Sequence, residues 1–249
     1  MPRILLVKTS SLGDVVHNLP IVGDIRGRVP DAEIDWAVEE TFTAIPRMHA
    51  GVSRVIPVAI RRWRGDLLRA ETRSECCAFF GRLREHEYDA IVDTQGLLKS
   101  ALVTCAARGR RYGPDWKSSR EPLRMFYDHT IGVPWGQHAV ERNRSLAAQA
   151  LGYPVSTPAN YGIAAPHRDL PWLLAAPYAV LLHATSAVPK LWPESHWREV
   201  SDYLYSRHMV SVLPCGNAAE RRRSERLAAG VAERKVHEHA ARWLHRLRD

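Results

Sequence analysis

The sequence predicts an α/β protein built on doubly wound parallel sheets, and three observations carry that expectation. Short runs such as "RILLV", "YDAIVD" and "YAVLL" are apolar on both faces, as strands buried inside a parallel sheet must be. Stretches with helical apolar spacing alternate with them, which is the βαβ pattern. Carboxylates and small polar residues gather where these strands hand over to helices, the edge at which such sheets bind ligands. At 249 residues and 45% hydrophobic content, the chain is long enough for one large domain or two smaller ones.

The elements follow in order. After "RILLV", apolar residues at Val15, Val16, Leu19, Val22 and Ile25 predict one amphipathic helix. "AEIDWAVEE" is a second strand, followed by a short helix to about Met48, and "VSRVIPVAI" is a third. A long charged helix is expected over 66–85, with Leu67, Leu68, Phe79, Phe80 and Leu83 as its apolar residues. "YDAIVDTQG" then repeats the opening pattern, a buried strand ending in a carboxylate, Asp93, before the helix "LLKSALVTCAA". The proline-spaced stretch around 164–177 reads as a linker. Beyond it come a strand "YAVLLHATS", a helix "PESHWREVSDYLYSR" with Pro193 near its first turn, a strand "MVSVLPCG" and a helix stopped by Gly230. This amounts to the opening half of a second doubly wound domain. The final residues are rich in Arg and His, with Val236, Ala240, Trp243 and Leu247 able to form one stripe and no further strand in view.

Lys and Arg total 35 against 27 acids, a net charge of +8, which favours an anionic partner. No helix-turn-helix, RNP or zinc-finger pattern accompanies the charge, so nucleic acid is not the expected partner. No run approaches a membrane span and no leader pattern opens the chain; a cytosolic protein is expected. The four cysteines lack any CxxC spacing and are expected to be reduced, mostly buried thiols, without a metal.

Three clusters carry candidate chemistry. In "VKTSSLGDVVHNLP", Asp14 is either an N-terminal helix acid or a general base, with Ser10 and Ser11 as hydroxyl donors and Gly13 permitting close approach. His17, one turn on, reads as solvated. In "HATSAVPKLWP", Thr185, Ser186 and Lys190 near a helix start suit a diphosphate, or form a plain polar loop. In "IRRWRGD", Arg61, Arg62 and Arg64 follow a strand end on the sheet edge shared with Asp14, and Lys99 and Arg120 join them as candidates for carboxylate or phosphate. Neither GxxxxGK[ST] nor GxGxxG occurs.

Taken together, "VKTSSLGDVVHNLP", "DWAVEE", "RVIPVAIRRWR", "YDAIVDTQGLLKS", "DWKSSREPL", "QHAVERNR", "LHATS..K.WPESHWRE" and "LPCGNAAERRRSERLAAG" resemble, in order, the lipopolysaccharide heptosyltransferases of glycosyltransferase family 9. The resemblance implies a glycosyltransferase-B fold of two Rossmann-like domains. Residues 1–165 would bind the acceptor, 166–176 link, and 177–249 form a partial nucleotide-sugar-binding domain with an atypical tail from about 231. The implied reaction moves L-glycero-D-manno-heptose from ADP-heptose onto Kdo of Kdo-lipid A with inversion, at the cytoplasmic surface of the inner membrane and without a cofactor or metal. Asp14 falls on the family's catalytic base, and Thr185, Ser186, Lys190 and Glu220 on donor-binding positions. Ser10, Ser11, Gly13, Arg61, Arg62, Arg64, Gln95, Lys99 and Arg120 fall on the acceptor side. Family members continue for roughly another 80 to 100 residues, including a glycine-led phosphate-cradling turn. The expectation is therefore a shortened chain, whose alternative role is that of a non-catalytic remnant binding anionic glycolipid.

Overall fold

The computed structural model describes residues 1–164, 177–185 and 187–229. The chain divides into two compact units, Met1–Pro166 and His167–Asp249. The expected linker at 166–176, Ser186, Gly230 and the tail lie outside the described residues.

The first unit carries β1 (Arg3–Val7), α1 (Leu12–Val16), α2 (Pro20–Arg28), β2 (Glu33–Glu39), α3 (Ala44–Arg47), β3 (Arg54–Val58), α4 (Ile60–Trp63) and α5 (Ala70–Leu83). It continues with β4 (Glu87–Asp93), α6 (Leu98–Ala106), β5 (Arg108–Pro114), β6 (His129–Ile131) and α7 (Ala139–Leu151). Its six strands lie in the order β3-β2-β1-β4-β5-β6, all neighbours parallel. This is the doubly wound order, with its switch point between β1 and β4. Consecutive residues of β1 point to opposite faces. Ile4 and Leu6 enter one core with Ile21, Val22, Ile25, Trp36 and Leu146, while Leu5 and Val7 enter the other with Ile56, Phe79, Leu83 and Ile91. A strand covered on both sides has no polar face to show, which is why "RILLV" has no alternation.

Three expectations are corrected here. The first helix is two helices, α1 and α2, because Pro20 has no N–H for a bond to Val16 and its ring clashes with that carbonyl. The long helix expected over 66–85 is shorter, covering Ala70–Leu83, and Leu67 and Leu68 precede it as exposed residues. Among the cysteines only Cys215 is buried; Cys76 and Cys105 are half-buried and Cys77 is exposed, all four as free thiols.

In the second unit, β7 (Tyr178–Val180) pairs in parallel with β8 (Val210–Val212), and α8 (Glu194–Ser206) and α9 (Ala218–Ala228) accompany them. Leu181, Leu213 and Leu227 form its core with Trp197, Val200 and Leu204 against them. The strand expected to reach Ser186 stops at Val180, so Thr185 belongs to a loop. Glu194 ties α8 to α9 through Arg226 at 2.8 Å and Arg223 at 3.3 Å.

Candidate active site

Because β1 and β4 are neighbours at the switch point, the segments leaving their carboxyl ends meet. Gln95 fastens them together: its Oε1 accepts from the Thr9 N–H (2.7 Å), the Thr9 hydroxyl (2.8 Å) and the Ser10 N–H (3.3 Å). Lys99 donates to the Ser10 hydroxyl across the same seam. The turn between them needs Gly96, whose φ is +64° and whose place offers a Cβ only 2.7 Å from the Pro114 ring.

These segments and α7 enclose a pocket of about 380 Å³, lined among others by Lys8, Ser10, Ser11, Asp14, Arg120 and Arg142. Asp14 accepts from the Ser11 N–H (2.9 Å) and the Ser11 hydroxyl (2.8 Å), both on Oδ2. It is thus both the first-turn acid of α1 and a wall of the pocket. Burial pushes its carboxyl up, but the two Ser11 bonds, helped by Lys8 and His17, outweigh this and leave it below the ordinary aspartate value. His17 is half-buried rather than solvated, edge-on to His138 at 5.4 Å. A Cβ on Gly13 would meet nothing within 4 Å, so no internal packing demands glycine there.

Asp93, the other strand-end carboxylate, has a structural task. It is fully buried and accepts from the Gln95 N–H (2.8 Å), the Gly96 N–H (3.1 Å) and the Tyr127 hydroxyl (2.8 Å). It shapes the turn that presents Gln95 and Lys99, and it does not face a ligand.

Sequence reasoning passed over Lys8, Arg142, Asn143 and Trp135. Lys8 ends a buried strand, and its ammonium donates to the Thr94 carbonyl at 2.8 Å. Burial is the main reason its pKa falls to about 8, against the pull of Asp14 and Asp93. Arg142 lies 3.8 Å over the Trp135 ring and Arg120 lies 5.9 Å from the same ring, so one indole orients both cations. Arg142 Nε and Asn143 Nδ2 are buried donors without a protein partner. On α7 the pocket-lining residues are Ala139, Arg142, Asn143 and Leu146, at i, i+3, i+4 and i+7. That stripe was the available signal: a polar pair set into an otherwise apolar helical face.

The arginine cluster is divided by the fold. Arg62 is claimed by Glu40 at 3.1 Å and Glu75 at 2.7 Å, so it is answered within the protein. Arg61 lies over the Phe42 ring at 5.5 Å, with its N–H on Glu39 (3.1 Å). Arg61 and Arg64 are exposed and neither lines the Asp14 pocket. In the second unit, Lys190 is exposed at the end of a short 3-10 turn, Val188–Lys190, and the Thr185 hydroxyl accepts from the Ala187 N–H at 3.4 Å. Glu220 caps α9, accepting from the Gly216 N–H at 2.7 Å while its own N–H is held by Asn217 at 2.9 Å.

The first unit thus offers an anion-seeking pocket with one carboxylate poised in it. Comparison with known proteins places this arrangement. Residues 76–238 match the model of glycosyltransferase family 9 (heptosyltransferase). Lipopolysaccharide heptosyltransferase 1 of Pseudomonas aeruginosa is 48% identical over 241 residues, an alignment spanning 94% of this chain and 66% of that protein. The protein of the same name from Escherichia coli K12 is 47% identical over 92% of this chain and 73% of its own length. The chain therefore spans between 66% and 73% of the length of these two relatives. The solved structure of the E. coli heptosyltransferase WaaC with ADP superposes with a TM-score of 0.83 at 44% identity, covering 92% of this chain and 73% of that one. WaaC with ADP-2-deoxy-2-fluoro heptose gives 0.81 at 45% identity over 92% and 74%. Similarity of this extent, over both units and in the order of the motifs, makes the chain a member of glycosyltransferase family 9, the heptosyltransferases.

Proposed function

We propose that the chain transfers L-glycero-D-manno-heptose from ADP-heptose to a hydroxyl of Kdo in Kdo-lipid A, with inversion, at the cytoplasmic face of the inner membrane. The first unit takes the acceptor and the second the nucleotide sugar. The observation that carries this reading is Asp14, ionised and held by Ser11 in a pocket otherwise rich in cations and donors. An acceptor hydroxyl entering there gives its proton to Asp14 as its oxygen bonds to the anomeric carbon. The bond from that carbon to the diphosphate oxygen breaks on the opposite face, which inverts the centre. Lys190, with Thr185 and Ser186, meets the diphosphate charge as it leaves, and Glu220 contributes to the nucleotide side. Such charge handling by side chains requires no metal. The related WaaC structures with ADP and with ADP-2-deoxy-2-fluoro heptose support the donor assignment.

The unpartnered donors of Arg142 and Asn143 suit the Kdo carboxylate, with Ser10, Gln95, Lys99 and Arg120 around it. Arg142→Gln is expected to raise the acceptor KM by about 10- to 100-fold with kcat little changed, the value of one charge-assisted contact. Lys8 adds a pH dependence. It is charged below its pKa of about 8 and neutral above, so affinity for an anionic acceptor is expected to fall as pH rises through that value. A KM profile with this inflection in the wild type and without it in Lys8→Met is the expected result.

The reading as a whole is tested by incubating the purified chain with ADP-heptose and Kdo-lipid A. Equal amounts of ADP and of acceptor heavier by one heptose support it. Acceptor binding without either product would instead leave a glycolipid-binding protein.

A further inference from the structure

A second concavity of the first unit, about 800 Å³, runs between α5 and α6. Its side chains are unlike those of the Asp14 pocket. Leu67, Leu98 and Leu102 line it while 58%, 48% and 55% exposed, and Phe80, also a lining residue, is 39% exposed. Contiguous apolar surface of this kind on a folded chain marks a site of contact. Arg64, Arg73 and Lys99 stand on its rim. The one acid there, Glu121, is occupied by the Leu98 N–H at 2.5 Å. The groove also adjoins the Asp14 pocket. Leu97 lines both, and Lys99 reaches from the groove to the Ser10 hydroxyl.

We propose that this groove docks acyl chains of the anionic membrane leaflet that carries the acceptor, with Arg64 and Arg73 on the lipid headgroups. The inference rests on the reading of a lipid-linked acceptor. No helix among the described residues is long and apolar enough to cross a membrane, so a bilayer-held acceptor has to be met by a surface of the protein. An apolar floor with a cationic rim is the composition that binds an anionic interface. A second copy of the chain is disfavoured as occupant, because a two-fold contact would set two like-charged rims against each other.

The test uses the full chain and vesicles of phosphatidylglycerol with phosphatidylethanolamine, beside vesicles of phosphatidylcholine. Sedimentation is expected with the anionic vesicles, and Leu98→Asp/Leu102→Asp is expected to weaken it about tenfold or more. The same variant keeps transfer to a water-soluble, deacylated acceptor and loses transfer to the vesicle-embedded one. Unchanged sedimentation of the variant overturns the proposal, as does a wild-type chain that dimerises through this face and ignores lipid. A measurement on the unaltered groove stands beside it: brominated acyl chains are expected to quench Trp63, a lining residue, with Trp63→Phe as blank. Equal quenching in both proteins also overturns the proposal. Vesicle binding without heptose transfer to either acceptor would keep the groove and remove the proposed reaction.

Discussion

Asp14→Asn is expected to lower kcat by about 10²–10⁴-fold, the usual share of a positioned general base, while the acceptor KM changes little. The substitution is nearly isosteric. An amide oxygen still accepts from the Ser11 N–H and hydroxyl, so α1 keeps its first turn and the pocket its shape. What disappears is the basic oxygen. A carboxylate held below its usual pKa is a weak base toward an alcohol, so proton transfer runs late, after the forming bond has acidified the hydroxyl. The same depression fixes the pH dependence. A base must be ionised; Asp14 remains so from neutrality down to its lowered pKa, and kcat falls on the acid side as pH drops through that value. Removing the hydroxyl bond in Ser11→Ala is expected to move this acid limb upward. Steady-state rates of ADP release across pH check both statements, and a kcat in Asp14→Asn within a factor of about three of wild type would place the base elsewhere.

How much of this was legible follows from where each residue gets its partners. β1 and β4 were readable because both faces are buried and the sequence carries no polar alternation. β5, "RGRRYGP", was not, because its charges lie near the edge of the sheet, with only β6 beyond it, and Arg111 reaches Asp128 at 2.6 Å. α7 went unassigned, although its stripe was present. In the site, Asp14, Gln95 and Lys99 could be placed together from topology alone, since both strand ends meet at one switch point. Lys8 and Arg142 could not, because a lysine closing an apolar strand and an arginine on a charged helix look like surface residues until packing turns them inward. Asp93 misled for the converse reason: strand-end position invites a ligand role, and only the Tyr127 hydroxyl and two N–H groups show that its oxygens are spoken for. The arginines of "IRRWR" read as one cluster, yet acids more than ten residues away in sequence claim Arg62 alone.

The largest stability effect is expected at Arg144, a residue that touches no proposed ligand. Its guanidinium forks onto Asp24, Nε to Oδ2 at 2.8 Å and a terminal nitrogen to Oδ1 at 2.9 Å, and also donates to the Thr157 carbonyl at 2.7 Å. The side chains are 2% and 8% exposed. Arg144→Ala leaves the Asp24 carboxylate buried without its cation, which costs about 3–5 kcal/mol. For a unit of this size that lowers the urea midpoint by roughly 2 M. Replacing both partners, as in Asp24→Leu/Arg144→Met, removes the stranded charge with the pair, and most of the loss is expected to return. The pair does more than hold α2 to α7. Arg142 and Asn143 stand on the same helix, two and one residues earlier respectively, and line the pocket, so a loosened α7 misplaces both. Arg144→Ala is therefore expected to raise the acceptor KM at temperatures where the protein is still folded, whereas the double variant restores it. Urea melts of the three proteins, paired with acceptor KM values, separate the outcomes. Equal midpoints for wild type and Arg144→Ala would show that the buried pair contributes nothing, and an acceptor KM that ignores the stability loss would uncouple α7 from the pocket it lines.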